Sequence, residues 1–267
     1  MRRLTLAATL LLLGLCAPAS ALEIKNVRNC YAPPFLGATR PNLKILGGDV
    51  VFITYDIDAL TVSAKTGKVS FISTLELIGP DGKQIFSKDT PNELIPQLGS
   101  TTIPGEINID IPPAQKPGKY LIKMTVTDKE AKETKAFQYP FEVLEPAFGI
   151  VGFTAPAFGL VGTYQDTQFA LVNMKLDDKK LCKVDLLMRV LDEGGKELSK
   201  IQASFPKDLP ADVDLGKANF LFWRYPVYLN RTGRFTVEVS AKDTAGGGAV
   251  TLSYPFRVID ATSVIGK

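Results

Sequence analysis

The sequence predicts an all-β protein built as two tandem antiparallel β-sandwich domains that arose by internal duplication. Three observations carry this. Hydrophobic residues alternate with a period of two along most of the chain. Gly, Asp and Pro turns separate these runs. A set of strand and turn residues recurs at a nearly constant offset.

The recurrence is clearest at the end of each half. Pro117-Gly118-Lys119-Tyr120, the run to Asp128 and Tyr139-Pro140-Phe141-Glu142-Val143 return 115 residues later. Their second copies are Thr232-Gly233-Arg234-Phe235, the run to Asp243 and Tyr254-Pro255-Phe256-Arg257-Val258. Solenoid repeats are about 20–50 residues long, so this spacing marks a duplicated domain. The boundary falls at Glu145-Pro146, giving a first domain over 22–144 and a second over 146–262, with 263–267 as a tail.

Each strand follows from its alternation. In the first half the runs are Val51 to Ile57, Val69 to Leu77, Ile107 to Ile111, Ile122 to Val126 and Phe137 to Val143. In the second they are Val184 to Val190, Val237 to Ala241 and Leu252 to Val258. Side chains two apart share a face, so these are half-buried strands. No stretch reads as an amphipathic helix. Pro140 and Pro255 lack a ladder donor, which predicts an edge or a bulge in the last strand of each half. Pro146-Ala147-Phe148-Gly149-Ile150-Val151-Gly152 recurs as Pro156-Ala157-Phe158-Gly159-Leu160-Val161-Gly162. Together they predict a kinked first strand for the second domain.

The start of the chain reads as a secretory signal peptide. Arg2 and Arg3 precede an apolar run from Leu4 to Leu15, and Ala19-Ser20-Ala21 supplies small residues for cleavage after Ala21. Cys16 offers a lipidation alternative, but Leu15 stands where such signals need a small residue. The chain carries 31 basic and 28 acidic residues, and removal of the leader leaves 29 against 28. That balance gives no nucleic-acid footprint. No later stretch is long and apolar enough for a transmembrane helix. The mature protein is therefore expected to be exported, periplasmic or extracellular.

The 267 residues include no His, which removes the usual general base and the commonest zinc ligand. There is no nucleophile elbow, phosphate loop or metal-ligand motif. Ser87-Lys88 and Ser199-Lys200 read as solvated turns. No catalytic residue and no cofactor is expected. Asp56 and Asp58 share one strand face and form a weak calcium candidate, with Asp177 and Asp178 in the comparable stretch. The bland alternative is a polar strand end. Cys30 and Cys182 remain after leader removal. In an oxidising compartment they either pair or stay as separate thiols, with Cys182 packed as a small apolar residue.

The aromatic run from Phe220 to Tyr228 is the candidate interaction surface. Aligning Pro226 with Pro112 puts Leu221, Trp223 and Tyr225 inward. Phe220, Phe222 and Arg224 then face outward, where the first copy has Glu106, Asn108 and Asp110. Three readings stay open. The first domain covers this face, a partner or glycan covers it, or the alignment has slipped and Trp223 faces outward.

The run from Pro117 to Val143 combines a Pro-Gly-x-Tyr strand, a charged hairpin and a final strand ending Phe-x-Val. It resembles the C-terminal half of bacterial immunoglobulin-like or fibronectin-like modules of exported proteins. The resemblance implies two Ig-like sandwiches outside the cytoplasm and attaches no activity. Tyr120 and Phe235 lie where such folds often have a tyrosine corner, although Phe235 has no hydroxyl. The expected function is a non-enzymatic binding or structural protein of the cell envelope, with an envelope protein or polysaccharide as partner. The alternative is a carbohydrate-binding module using the exposed aromatics. A glycosidase would need a positioned carboxylate pair that no motif supplies.

Overall fold

The computed structural model describes residues 21–32, 35–208, 215 and 220–260. The leader and residues 261–267 lie outside the described residues. The first domain contains β1 (Glu23–Cys30), β2 (Lys44–Ile45), β3 (Val50–Asp58), β4 (Val69–Ile78), β5 (Gln84–Leu94), β6 (Ile103–Asp110), β7 (Gly118–Asp128) and β8 (Thr134–Val143). The second contains β9 (Gly149–Thr154), β10 (Phe158–Leu160), β11 (Tyr164–Val172), β12 (Val184–Asp192), β13 (Glu197–Ser204), β14 (Phe220–Tyr228), β15 (Gly233–Asp243) and β16 (Ala249–Ile259).

The duplication is exact at the level of topology. The first domain packs a three-stranded sheet, β1-β3-β6, on a five-stranded sheet, β2-β8-β7-β4-β5. The second repeats both orders as β9-β11-β14 and β10-β16-β15-β12-β13. Adding eight to each strand number converts one domain into the other. Pairing is antiparallel except for β2 with β8 and β10 with β16, which are parallel. These are two β-sandwiches, each closing over an apolar layer. Ile53, Ile107, Ile122 and Val126 are buried in the first, and Phe169, Leu171, Met188 and Tyr254 in the second.

The two linker heptads do not form one kinked strand. β9 joins the three-stranded sheet, whereas β10 crosses to the five-stranded sheet and runs parallel to β16. The same switch from β1 to β2 occurs in the first domain. Pro140 and Pro255 sit where β8 and β16 are free on one side, because β2 pairs only with Glu142 and Val143, and β10 only with Arg257, Val258 and Ile259. Leu215, between β13 and β14, is buried in the second core.

One bulge recurs in both copies. β1 shifts register against β3 between Lys25 and Arg28, with Asn26 at φ 53°. β9 shifts against β11 at the corresponding place, with Gly152 at φ 61°. A left-handed residue in a bulge suits Gly, and Asn tolerates it with a local hydrogen bond. Asn26 Nδ2 donates to Asp56 Oδ2 at 2.6 Å.

Both copies also keep a buried Asp at the end of the penultimate strand. Asp128 accepts from the backbone N–H groups of Thr61 (2.7 Å), Glu130 (2.8 Å) and Ala131 (3.1 Å). Asp243 accepts from those of Lys175 (2.8 Å), Ala245 (3.1 Å) and Gly246 (2.9 Å). Each carboxylate caps its own hairpin with one oxygen and pins a distant loop with the other.

The domains interlock. Tyr31 and Ala38, on the loop after β1, are buried in the core of the second domain. Tyr31 meets Phe153 edge-on with ring centroids 5.0 Å apart. Backbone bonds from Ala38 N to Ala155 O (2.6 Å) and from Ala155 N to Ala32 O (2.9 Å) fix this loop. Asp49 completes the joint. Its Oδ2 accepts from Arg40 at 2.7 Å, and its Oδ1 accepts from the Gly152 N–H of β9 at 3.0 Å. The sheets therefore divide between Val143 and Gly149, but part of the first domain belongs to the second core.

Candidate functional site

β14 forms the edge of the three-stranded sheet of domain 2 and presents its odd and even residues to opposite sides. Leu221 and Tyr225 are buried against the core, and Trp223 packs edge-on against Phe205 at 5.5 Å. Trp223 therefore faces inward. Phe220, Phe222 and Arg224 face outward together with Pro226 and Tyr228. Exposure is 48% for Phe220, 55% for Phe222, 53% for Tyr228 and 69% for neighbouring Tyr164.

The register of β11 against β14 builds this face row by row. Tyr164 stands opposite Tyr228, Gln168 opposite Arg224, Ala170 opposite Phe222 and Val172 opposite Phe220. The two tyrosines pair at 5.0 Å between ring centroids. In the middle, the Arg224 guanidinium binds Asp166 Oδ2, and this ion pair holds the guanidinium above its ordinary pKa. Asp166 Oδ1 is buried with no partner. Small Ala170 leaves the Phe222 ring standing clear.

The first domain does not cover this strip. Phe220 borders a crevice of about 320 Å³ that reaches Gly47, Pro113 and Leu144 of domain 1. Its ring is still about half exposed, and Phe222 and Tyr228 lie beyond the crevice. The result is an uncovered aromatic strip running away from the domain joint.

The structure places Leu221, Trp223 and Tyr225 inward and Phe220, Phe222 and Arg224 outward, but the residue matching to the first copy needs correction. The shared bulge aligns Asp56 with Ala170. From there the ladders place Ile103, Gly105 and Ile107 in the positions of Leu221, Trp223 and Tyr225. The outward partners of Phe220, Phe222 and Arg224 are then Thr102, Pro104 and Glu106. The slip is four residues, an even number, so no side chain changed face. It arose because Pro112 lies beyond the end of β6, whereas Pro226 lies inside β14.

The cysteines do not pair. Cys30 and Cys182 are both free and buried, Cys182 inside the core of domain 2. Burial pushes both thiols above their ordinary pKa, which lowers their reactivity. We expect dithiothreitol to leave the melting temperature unchanged in scanning calorimetry. A reductant-dependent drop of several degrees would reveal a bridge.

The Asp56 and Asp58 carboxylates share a face, but protein donors occupy them. Asp56 holds the Asn26 bulge. Asp58 accepts from Lys25 Nζ and Thr102 Oγ1, both at 2.8 Å, and from the Ala59 N–H at 2.9 Å. Lys25 leads the causes that hold the Asp58 carboxyl below its ordinary pKa. Asp177 accepts from the Lys179 and Leu181 N–H groups of its own turn. Among the described residues, no cluster of three or more Asp, Glu, Cys or His side chains forms a metal site.

No family model and no curated protein matches the chain. Among solved structures, a match is the dimeric latent PorU from Porphyromonas gingivalis, at 11% identity and a TM-score of 0.38. That match covers 91% of this chain and 20% of PorU, so the chain spans about a fifth of that protein's length.

Proposed function

We infer that this chain is an exported, non-enzymatic binding protein of the cell envelope, related to bacterial immunoglobulin-like or fibronectin-like modules. Its two interlocked sandwiches present the aromatic strip of β11 and β14 to a partner. The observation that carries this reading is Phe222, which is more than half exposed on a sheet face where domain 1 has Thr102, Pro104 and Glu106. Four exposed aromatics share this one sheet face. The lack of any His and of a catalytic motif favours binding over chemistry. The leader-like first 21 residues favour export. In keeping with cleavage after Ala21, the Leu22 nitrogen donates to Glu133 at 2.8 Å, where a freed ammonium would form an ion pair.

A second reading is a carbohydrate-binding module. It is favoured by the Arg224–Asp166 pair seated between aromatic rings, because sugar faces stack on aromatics while hydroxyls take charged hydrogen-bond partners.

Two variants separate binding from folding. Phe222→Ala removes an exposed ring and should shift stability by no more than about 0.5 kcal/mol. Trp223→Ala removes a ring from the core side and should cost about 3 kcal/mol. The mature wild-type and Phe222→Ala chains are then used as bait in envelope extract and on peptidoglycan and polysaccharide. A defined protein retained by wild type and lost by Phe222→Ala supports the first reading. Retention on glycan alone, lost in the same variant, supports the second. Equal retention by both chains sinks the aromatic strip as the binding surface.

A further inference from the structure

The inner side of β14 borders a separate feature. At the open edge of domain 2, between β13 and β14, the two sheets part to leave a cleft of about 470 Å³. This lies within the roughly 300–1,000 Å³ of small-molecule sites. Its lining is mainly apolar, with Val190, Ile201, Tyr225, Val227, Phe256 and Val258 among it, and Ser199 and Asn230 add polar groups. Among the described residues, the only charged one lining it is Arg231, at the mouth. Arg231 lies over the Phe235 ring, 5.3 Å from its centroid. Among the described residues it has no carboxylate partner.

Comparison with the first copy shows what has been lost. Tyr120 is the counterpart of Phe235. Its hydroxyl donates to Lys116 O and accepts from Gln115 Nε2, each at 2.6 Å, and ties the loop before β7 to the sandwich. Domain 2 has Phe235 in this place and a loop of four residues, 229–232, instead of the seven of 111–117. The tie is absent, and a cation stands over the ring at the mouth of an apolar cleft.

We propose that this cleft binds a single-chain anionic amphiphile. The acyl chain lies between the sheets against Ile201, Val227 and Phe256, and the carboxylate or phosphate headgroup meets Arg231. An apolar tail matches the walls. A negative head matches the one charge, which no carboxylate of the cleft opposes. The cleft opens mainly from the inner side of β14, through Tyr225 and Val227, and Tyr228 of the aromatic strip also borders it.

The test is titration calorimetry on the mature chain with dodecanoate, monododecyl phosphate and dodecanol, each below its aggregation concentration. We expect one saturable site for at least one of the two anions, and the tighter of them identifies the headgroup. Arg231→Gln should weaken that anion at least tenfold and leave dodecanol unchanged. Ile201→Trp, which fills the cleft from β13, should abolish binding while its melting curve confirms folding. Absence of saturable binding by both anions overturns the proposal, as does an Arg231→Gln variant that binds like wild type. Sedimentation showing a dimer that Ile201→Trp dissociates would also overturn it, since a second copy of the chain would then fill the cleft.

Discussion

Asp128→Ala is expected to lower the stability of the chain by about 3 kcal/mol. The carboxylate is 1% exposed, and its removal strands three backbone N–H groups, those of Thr61, Glu130 and Ala131. An orphaned buried donor costs about 1–3 kcal/mol, and solvent entering the hairpin turn recovers part of the total. Asp243→Ala should cost a similar amount in domain 2, because its three acceptor contacts are the same in kind. Denaturant midpoints at constant slope would measure both. A loss below about 1 kcal/mol in either variant would show that the turns close without their carboxylates.

Acid should probe the same device. Burial alone would raise the Asp128 pKa, but the N–H groups of Thr61, Ala131 and Glu130 outweigh it and hold the carboxyl below its ordinary value. A depressed folded-state value adds stability that is complete above the unfolded value near pH 4 and fades as pH falls through the folded value. Wild type should therefore lose stability below about pH 4 more steeply than Asp128→Ala. Parallel acid profiles for the two chains would contradict this.

Asp49→Ala is expected to uncouple the domains. The ion pair with Arg40 is almost dry, with side-chain exposures of 11% for Arg40 and 4% for Asp49. Removing one partner of such a pair costs about 3–5 kcal/mol, because a buried charge is left uncompensated. Here the loss also frees the Gly152 N–H, one of the bonds by which domain 1 holds β9. The chain has a single tryptophan, Trp223, so fluorescence follows domain 2 while circular dichroism follows both domains. We expect the two transitions to coincide in wild type and to separate in Asp49→Ala. The double variant with Arg40→Ala should be less damaged than the sum of the singles, because no guanidinium is left stranded. A single coincident transition near the wild-type midpoint would remove Asp49 from this role.

The β-sandwich class was legible because alternation is a local property, and the same alternation offered the outward placement of Phe220, Phe222 and Arg224 as one of the open readings. Each strand reports its own two faces, whichever neighbour it finds. Pairing register is not local, and matching Pro226 to Pro112 by residue type alone slipped by four positions. The shared bulge at Asn26 and Gly152 corrects it, but those two residues are different amino acids and gave no visible match. The insertion of Tyr31 and Ala38 was hidden for another reason. It lies in an irregular stretch with no period, and its contacts are more than a hundred residues away. The thiols were undecidable from the sequence, since two cysteines in an exported chain satisfy either outcome. The cleft of domain 2 was hinted at by the missing hydroxyl of Phe235, but only the parted sheets give that substitution a volume.

The interlocking loop also dictates an order of events. Tyr31 finishes packing only against Phe153, about 120 residues further along the chain. A chain exported N-terminus first delivers Tyr31 well before Phe153. In between, the first sandwich can close its own sheets but carries an unfinished seam. The second sandwich, made alone, would lack two residues of its interior. Expressed separately, the halves should therefore be poorer folders than the tandem, and a cut between them at Glu145 would damage the half that keeps Trp223 more than its uninterrupted strands suggest.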